Sequence, residues 1–591
     1  MKQEIRQCQN CKAEFTIEPD DFNFYQKIKV PAPTFCPECR MQRRTVFRNE
    51  RTLYRRKCDL CNNAIIAMYP ENTSFPVYCY TCWISDKWDA LEYGMDFDFT
   101  KPFFEQFRRL FLTVPRIALE CYQNENTTYS NYTWICKNTY LSPSTLFSEN
   151  VAYSRTAYYA KDALDCSNLY NSELCYDAVI ADKCSHCGYI VNSSECIDSY
   201  FLFDCIDCGN CFMSANIRHK SYVFRNQQLS KEEYKKAINK IDFGSFKIRE
   251  ELRREFEDMK VRALHRFAFT RRVVNSSGNS IRDSKNAFNC FDVEKSENVR
   301  YFSQGTGIKD SMDMFGAGPG GELIYEGVNV GYTDSRVFFS SNTYEDMIDV
   351  RYCDYCRNSQ YLFGCIGVRK KQYCILNKKY SKEEYEKLII KIIEHMNSMP
   401  YVDKNGRVYR YREFFPTELS PFAYNETIAQ EYFPLIREQA INQGYRWKDT
   451  EERHYEITVK PTNLPDNIKD VKDSILSEVI ECGHHGKCNE QCTTAFKIIP
   501  QEFQFYRKMN LPLPRLCPNC RHYQRLRQRN PLKLWHRKCT CAGEKSENRI
   551  YSNTIKHFHG SVHCPNEFET SYALERKEIV YCEQCYNAEV V

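Results

Sequence analysis

The stretch that decides the fold runs ALDCSNLYNSELCYDAVIADK (163–183), CSHCGYIVNSSECIDSYFLFD (184–204) and CIDCGNCFMSANIRHKSYVFR (205–225). Written in rows of 21, Cys166, Cys187 and Cys208 share a column, Cys175 aligns with Cys196, Cys184 with Cys205, and Asn171 with Asn192. Self-similarity at a short fixed period marks a stacked repeat. The rows are rich in Tyr, Phe, Val, Ser and Asn and lack a helical period. They predict one parallel β-helix coil per row, with inward side chains stacked at the interstrand spacing of roughly 4.8 Å. A motif of Asp, then Cys or Ser, then an aromatic extends the pattern through Asp165/Cys166/Tyr170, Asp207/Cys208/Phe212, Asp283/Ser284/Phe288, Asp310/Ser311/Phe315 and Asp334/Ser335/Phe338.

Outward from this stretch, two solenoid units are expected, at 118–228 and 283–378. They end alike: NIRHKSYVFRNQQLSKEEYKKAINKI at 216 matches GVRKKQYCILNKKYSKEEYEKLIIKI at 367. In both, a serine (Ser230, Ser381) stands three before a glutamate (Glu233, Glu384), the capping-box spacing that starts a helix. Such a helix would cover the open end of the last coil. Capping and linker helices are placed at 229–264 and 379–400, and a mixed linker region at 401–480 with a helix from about Glu426 to Gln443. The glycine-rich GAGPGG at 316–321 lacks the Lys-Ser/Thr of a phosphate loop and reads as a solenoid turn.

The chain holds 33 cysteines in 591 residues. Its N-terminus, MKQEIRQCQNC, carries no apolar stretch of the kind that directs secretion, and no run approaches the roughly 20 residues that span a bilayer, so a cytoplasmic setting without a membrane anchor is expected. In a reducing compartment, paired cysteines point to zinc or buried thiols. Residues 1–100 carry Cys8/Cys11, Cys36/Cys39, Cys58/Cys61 and Cys79/Cys82, which in chain order make two four-sulfur shells. Adding 481 to the numbering carries Phe22, Tyr25, Cys36, Pro37, Cys39, Arg40, Arg44 and Cys58 onto Phe503, Tyr506, Cys517, Pro518, Cys520, Arg521, Arg525 and Cys539, so 481–591 is a second copy of the module. Its ligands are read as Cys488, Cys492, Cys517, Cys520, Cys539, Cys541, Cys582 and Cys585. Cys482, His484 and His485, and an insertion carrying His557, His559, His563 and Cys564, supply alternatives. About four structural zinc ions follow, because a shell of four cysteines leaves no open position for water. Cys184, Cys187, Cys205 and Cys208 also have ribbon spacing. They are either a thiol ladder in a solenoid core or a further metal site.

The net charge of +5 is unevenly placed. Residues 36–58 carry eight Lys/Arg against two acids, and 517–539 carry seven against none. Rigid arginine forks suit phosphate, so Arg40, Arg43, Arg44, Arg48, Arg521, Arg525, Arg527 and Arg529 are the candidate contacts to a nucleic acid, RNA or a single strand. The competing readings are a protein–protein interaction scaffold and a carbohydrate-cleaving β-helix enzyme, although no catalytic constellation stands out. The fold class expected is a mainly β multidomain chain, with duplicated zinc-ribbon modules at both termini flanking two parallel β-helix solenoids with capping helices.

The run CPECRMQRRTVFRNERTLYRRKC, with VYCYTCW after it and CPNEFETSYALERKEIVYCEQCY at the end, resembles a group of large zinc-ribbon proteins of candidate-phyla bacteria. The resemblance implies a bacterial, cytosolic setting and assigns no residue roles.

Overall fold

Residues 2–449 and 455–591 are described by a computed structural model. Parallel pairing runs from Glu149 to Lys161, Glu173, Ser185 and Ile197 in turn, so each coil of the first solenoid takes 12 residues. The row of 21 is therefore not one coil. From Gln123 to Arg225 every third residue has a left-handed φ of 46–62°, which turns the chain after each three-residue side and gives four sides per coil. Twenty-one is a multiple of three but not of 12, so the rows aligned equivalent positions on the sides without aligning stacked ones. The same arithmetic explains the cysteines. Cys166, Cys175, Cys184, Cys187, Cys196, Cys205, Cys208 and Cys211 are spaced by multiples of three, and all are buried.

The narrow interior selects small side chains that also bond to the backbone. Ser154 Oγ accepts from Cys166 N at 3.0 Å and donates to the Ala152 carbonyl at 3.1 Å. Ser142 and Ser130 repeat the arrangement one and two coils earlier. These hydroxyls satisfy amides that would otherwise be buried without a partner. Outside, left-handed corners are filled by residues that tolerate that conformation, in ladders such as Asn126–Asn138–Asn150–Asp162, with links of 2.8, 3.0 and 2.8 Å.

The second solenoid opens with an 11-residue step, Thr270 pairing with Ile281, and then runs on the same 12-residue coil, Lys285 pairing with Glu297 and Glu297 with Lys309. It widens to 13 where Met312 pairs with Tyr325 and Tyr325 with Phe338, and returns to 12 from Arg351 to Phe363 and Ile375. GAGPGG lies at the change, with Gly316 and Gly320 at φ 67° and 79°, as expected of a solenoid turn. Each solenoid ends in an antiparallel hairpin, Val223–Phe224 with Gln227–Gln228 and Gln372–Ile375 with Lys378–Lys379, which closes the sheet edge. A capped helix follows in both places. Ser230 starts Lys231–Ile238 and Ser381 starts Lys382–Ser398, both with the full capping box. The long helix expected near 426–443 is two short ones, Ala429–Tyr432 and Arg437–Asn442, because Pro434 interrupts it.

Two compact units are discontinuous in sequence. One comprises Met1–Glu120, Ala268–Asp449 and Leu532–Leu534, the other Cys121–Phe267, Thr450–Pro531 and Trp535–Val591. The N-terminal cysteine module thus packs on the second solenoid, and the C-terminal module on the first. Among the described residues no helix is long and apolar enough to cross a membrane.

Candidate metal centres and buried arginine clamps

Four cysteine tetrads have all their sulfur atoms within 4.8 Å of one another: Cys8/Cys11/Cys36/Cys39, Cys58/Cys61/Cys79/Cys82, Cys482/Cys492/Cys517/Cys520 and Cys539/Cys564/Cys582/Cys585. The local build is shared. In each, the third cysteine caps the N-terminus of a helix, as Cys36 does for Pro37–Thr45 and Cys582 for Glu583–Val590. The amide of that cysteine donates to the first sulfur: Cys36 N to Cys8 Sγ at 3.2 Å, Cys79 N to Cys58 Sγ at 3.2 Å, Cys517 N to Cys482 Sγ at 3.3 Å and Cys582 N to Cys539 Sγ at 3.2 Å. Helix N-termini and amide donors favour thiolates. Hydrogen bonds from Cys36 and Cys539 hold Cys8 and Cys582 far below the ordinary thiol range. Four shells of four thiolates at tetrahedral spacing fit about four structural zinc ions, which would cross-link loops that have little core of their own.

Two ligand assignments change in the C-terminal copy. Cys482, not Cys488, takes the place of Cys8, although Cys488 Sγ stands 3.7 Å from Cys520 Sγ. Cys564, not Cys541, takes the place of Cys61. The sequence held the signal for both, since each was among the alternative ligands, but proximity along the chain favoured the nearer cysteine. In the first solenoid, Cys187 Sγ donates to the Ser185 and Cys196 carbonyls at 3.3 Å each, and Cys205 Sγ to Phe203 and Ser214 carbonyls at 3.4 and 3.5 Å. The expected thiol ladder bonds to backbone in this way.

Most of the arginines named as nucleic-acid contacts are withdrawn from solvent, while Arg55, Lys57, Lys533 and Lys538 of the same runs are exposed. Arg40, Arg43, Arg44, Arg48, Arg521 and Arg525 are buried, between 0% and 6% exposed. Arg40 lies 2.9 Å from Asp313, Arg43 lies 2.6 Å from Glu326 and 2.9 Å from Glu413, and Arg44 reaches Glu326 at 3.2 Å and Asp313 at 3.4 Å. The second unit repeats the device. Arg521 pairs with Glu502 and Asp165 at 3.1 Å each, and Arg525 with Asp165 at 2.8 Å. Lys27 and Lys508 extend it at the surface, pairing with Asp310 and Asp162, the last members of the outer Asn ladders. Arg48 pairs with Glu50 at 2.7 Å. Of the eight arginines, only Arg527 is exposed, and it pairs with Glu490; Arg529 is half-buried.

The physical reason is that a guanidinium leaves water only for a carboxylate. The carboxylates lie far along the chain, Asp313 being 273 residues from Arg40. Burial works against the charge of Arg40, but Asp313 together with Tyr25, Tyr325 and Glu326 outweighs it and holds the group well above its ordinary range. Burial raises Glu326 and Glu502 despite the opposing pull of Arg43 and Arg521. The clamps fasten each cysteine module to its solenoid.

No protein-family model matches the chain, and no curated protein matches it. Among solved structures, a protein of Desulfovibrio desulfuricans G20 assigned as an acetyltransferase aligns with 45% of this chain and 69% of its own at 9% identity and a TM-score of 0.11, too slight a likeness to carry an argument.

Proposed function

We propose that the protein is a non-catalytic scaffold, fastened by zinc and internal ion pairs, that binds a protein partner through the outer face of its first solenoid. One observation carries the reading: the groups with chemical potential are committed inward. The cysteine tetrads are four-coordinate shells with no position for a substrate. The buried carboxylates Asp313, Glu326 and Glu413 are ion-paired with Arg40, Arg43 and Arg44. What faces outward is a stripe in which Ile135, Phe147 and Tyr159 follow one another at coil spacing, 46%, 39% and 60% exposed. Phe147 and Tyr159 stack at 5.0 Å, and Tyr158 lies 5.5 Å from Tyr170 beside them. Contiguous exposed aromatics are the usual core of a protein interface.

Nucleic-acid binding through the basic runs is the finer expectation from charge, and it competes with this reading. A pull-down with and without nuclease separates them. The scaffold reading expects partners that survive nuclease and are lost on Phe147→Ser with Tyr159→Ser. Replacing Arg43, Arg44, Arg525 and Arg529 with Gln should then loosen the fold. Retained folding with a steep loss of RNA binding between roughly 50 and 200 mM salt would instead favour the polyanion.

A further inference from the structure

We propose that the C-terminal module holds a second metal ion beside its cysteine tetrad, on Cys541, His557, His559 and Cys585, with the Cys585 sulfur shared between the two ions. This inference rests on the reading of Cys539, Cys564, Cys582 and Cys585 as a zinc site. In the N-terminal copy, two residues separate Cys58 from Cys61, whereas 24 separate Cys539 from Cys564. The added segment folds back on the site. It brings Cys541, His557 and His559 to Cys585, with all four ligand atoms within 4.8 Å of one another. Cys541 Sγ is 3.1 Å from His557 Nδ1, and His559 Nε2 is 3.3 Å from Cys585 Sγ. A tetrahedral ion with bonds of roughly 2.0 Å to nitrogen and 2.3 Å to sulfur needs edges only slightly longer than these.

The outer partners fix which ring nitrogen points inward. His559 Nδ1 lies 2.8 Å from the Val562 carbonyl, which can only accept, so that nitrogen carries the proton and Nε2 offers its lone pair to the site. His557 Nε2 lies 2.9 Å from Glu589 Oε1, and both side chains are fully buried. Glu589 also receives the Thr554 amide and hydroxyl and the Tyr551 hydroxyl, all donors. It therefore acts as an acceptor, and His557 presents Nδ1 to Cys541. A carboxylate or carbonyl behind each imidazole is the usual support of a metal-bound histidine. Asn553 Nδ2 donates to Cys541 Sγ at 3.2 Å, as suits a thiolate. His563, in the same segment, turns away to the Cys564 carbonyl and takes no part.

Charge favours the pair. One divalent ion on four buried thiolates leaves two net negative charges, whereas two ions on five thiolates leave one. Two sulfurs and two imidazoles in a tetrahedral frame suit zinc.

The full-length chain, purified without chelator, should contain five zinc ions by elemental analysis against protein mass. The His557→Ala/His559→Ala variant should contain four, and Cys585→Ser three. With 113Cd in place of zinc, the intact protein should give one resonance in the range of mixed sulfur and nitrogen ligands, split by coupling to a four-sulfur neighbour through the shared thiolate. That measurement needs no variant. Four ions in the intact chain, with only four-sulfur cadmium resonances, would overturn the shared site while leaving the tetrads standing. A count below four would instead unseat the tetrad reading itself.

Discussion

Replacing Asp313 with alanine tests whether the arginine clamp is what fastens the N-terminal module to its solenoid. Asp313 is fully buried and meets Arg40 at 2.9 Å and Arg44 at 3.4 Å. Without it, Arg44 keeps Glu326, but Arg40 retains only the Phe35 carbonyl at 2.8 Å and the Tyr301 ring at 5.4 Å. Stranding one partner of a buried ion pair costs about 3–5 kcal/mol, a shift of roughly 10² to 4 × 10³ in an opening equilibrium. Native-state hydrogen exchange followed by mass spectrometry reads the two units separately. Peptides from 37–47 and 297–330 should lose that protection while peptides from 163–225 keep theirs as an internal reference. Asp310→Ala is the control: its Lys27 pair is 52% and 36% exposed and is worth about 0–1 kcal/mol. Asp313→Leu combined with Arg40→Met should recover much of the loss, because matched apolar side chains remove the stranded charge. A loss below about 1 kcal/mol in Asp313→Ala, equal to the control, would refute the clamp.

Two smaller effects are expected. Ser381→Ala removes the bond from Glu384 N at 3.2 Å and half of a capping box, which should cost about 1 kcal/mol and speed amide exchange in the first turn of Lys382–Ser398 about fivefold; unchanged exchange would mean the cap is idle. His265 is pushed down from 6.5 to about 4, first by burial and then against the nearby carboxylates of Glu578 and Asp204. The folded state therefore resists a proton that the unfolded chain takes up. The stability from a neutral His265 is complete above pH 6.5 and is lost as pH falls toward 4, at about 1.4 kcal/mol per unit. Denaturation of the native chain against His265→Gln should show the difference shrinking by about 1.6 kcal/mol from pH 6.5 to 5, and parallel curves would contradict the assignment.

The features legible in the sequence are those whose partners are local. Cys36 and Cys39, or Cys79 and Cys82, announce a metal knuckle because two residues of separation already place both sulfurs on one turn. Ser230 and Glu233 announce a helix start for the same reason. The solenoid was legible as a repeat but not in its period. The stacking distance is set by hydrogen bonds between coils, while a sequence displays only the three-residue alternation of inward and corner positions. The cysteines at 184, 187, 205 and 208 show this, since their spacing suits both a ribbon and the ladder. The arginine runs were legible as charge and opaque as to direction. Asp165 and Asp313 neutralise them from distant coils, and no count over a window of 23 residues registers that. Cys482 and Cys564 show that an insertion hides a ligand whenever a nearer cysteine offers the familiar spacing.

The interleaved order of the chain sets a timetable for its synthesis. At roughly 5–20 residues per second, about 15–55 s separate the appearance of Arg40 from that of Asp313, its partner 273 residues later, and Glu413 follows later still. Through that interval the first cysteine module can take up its metal, yet its arginine helix has no surface to close against. The solenoid that emerges next waits in turn for the last module to be made. Each unit thus resumes only after a stretch of the other has been made, and the closing of a module on a distant solenoid, rather than the folding of any one module, becomes the step at which each unit locks.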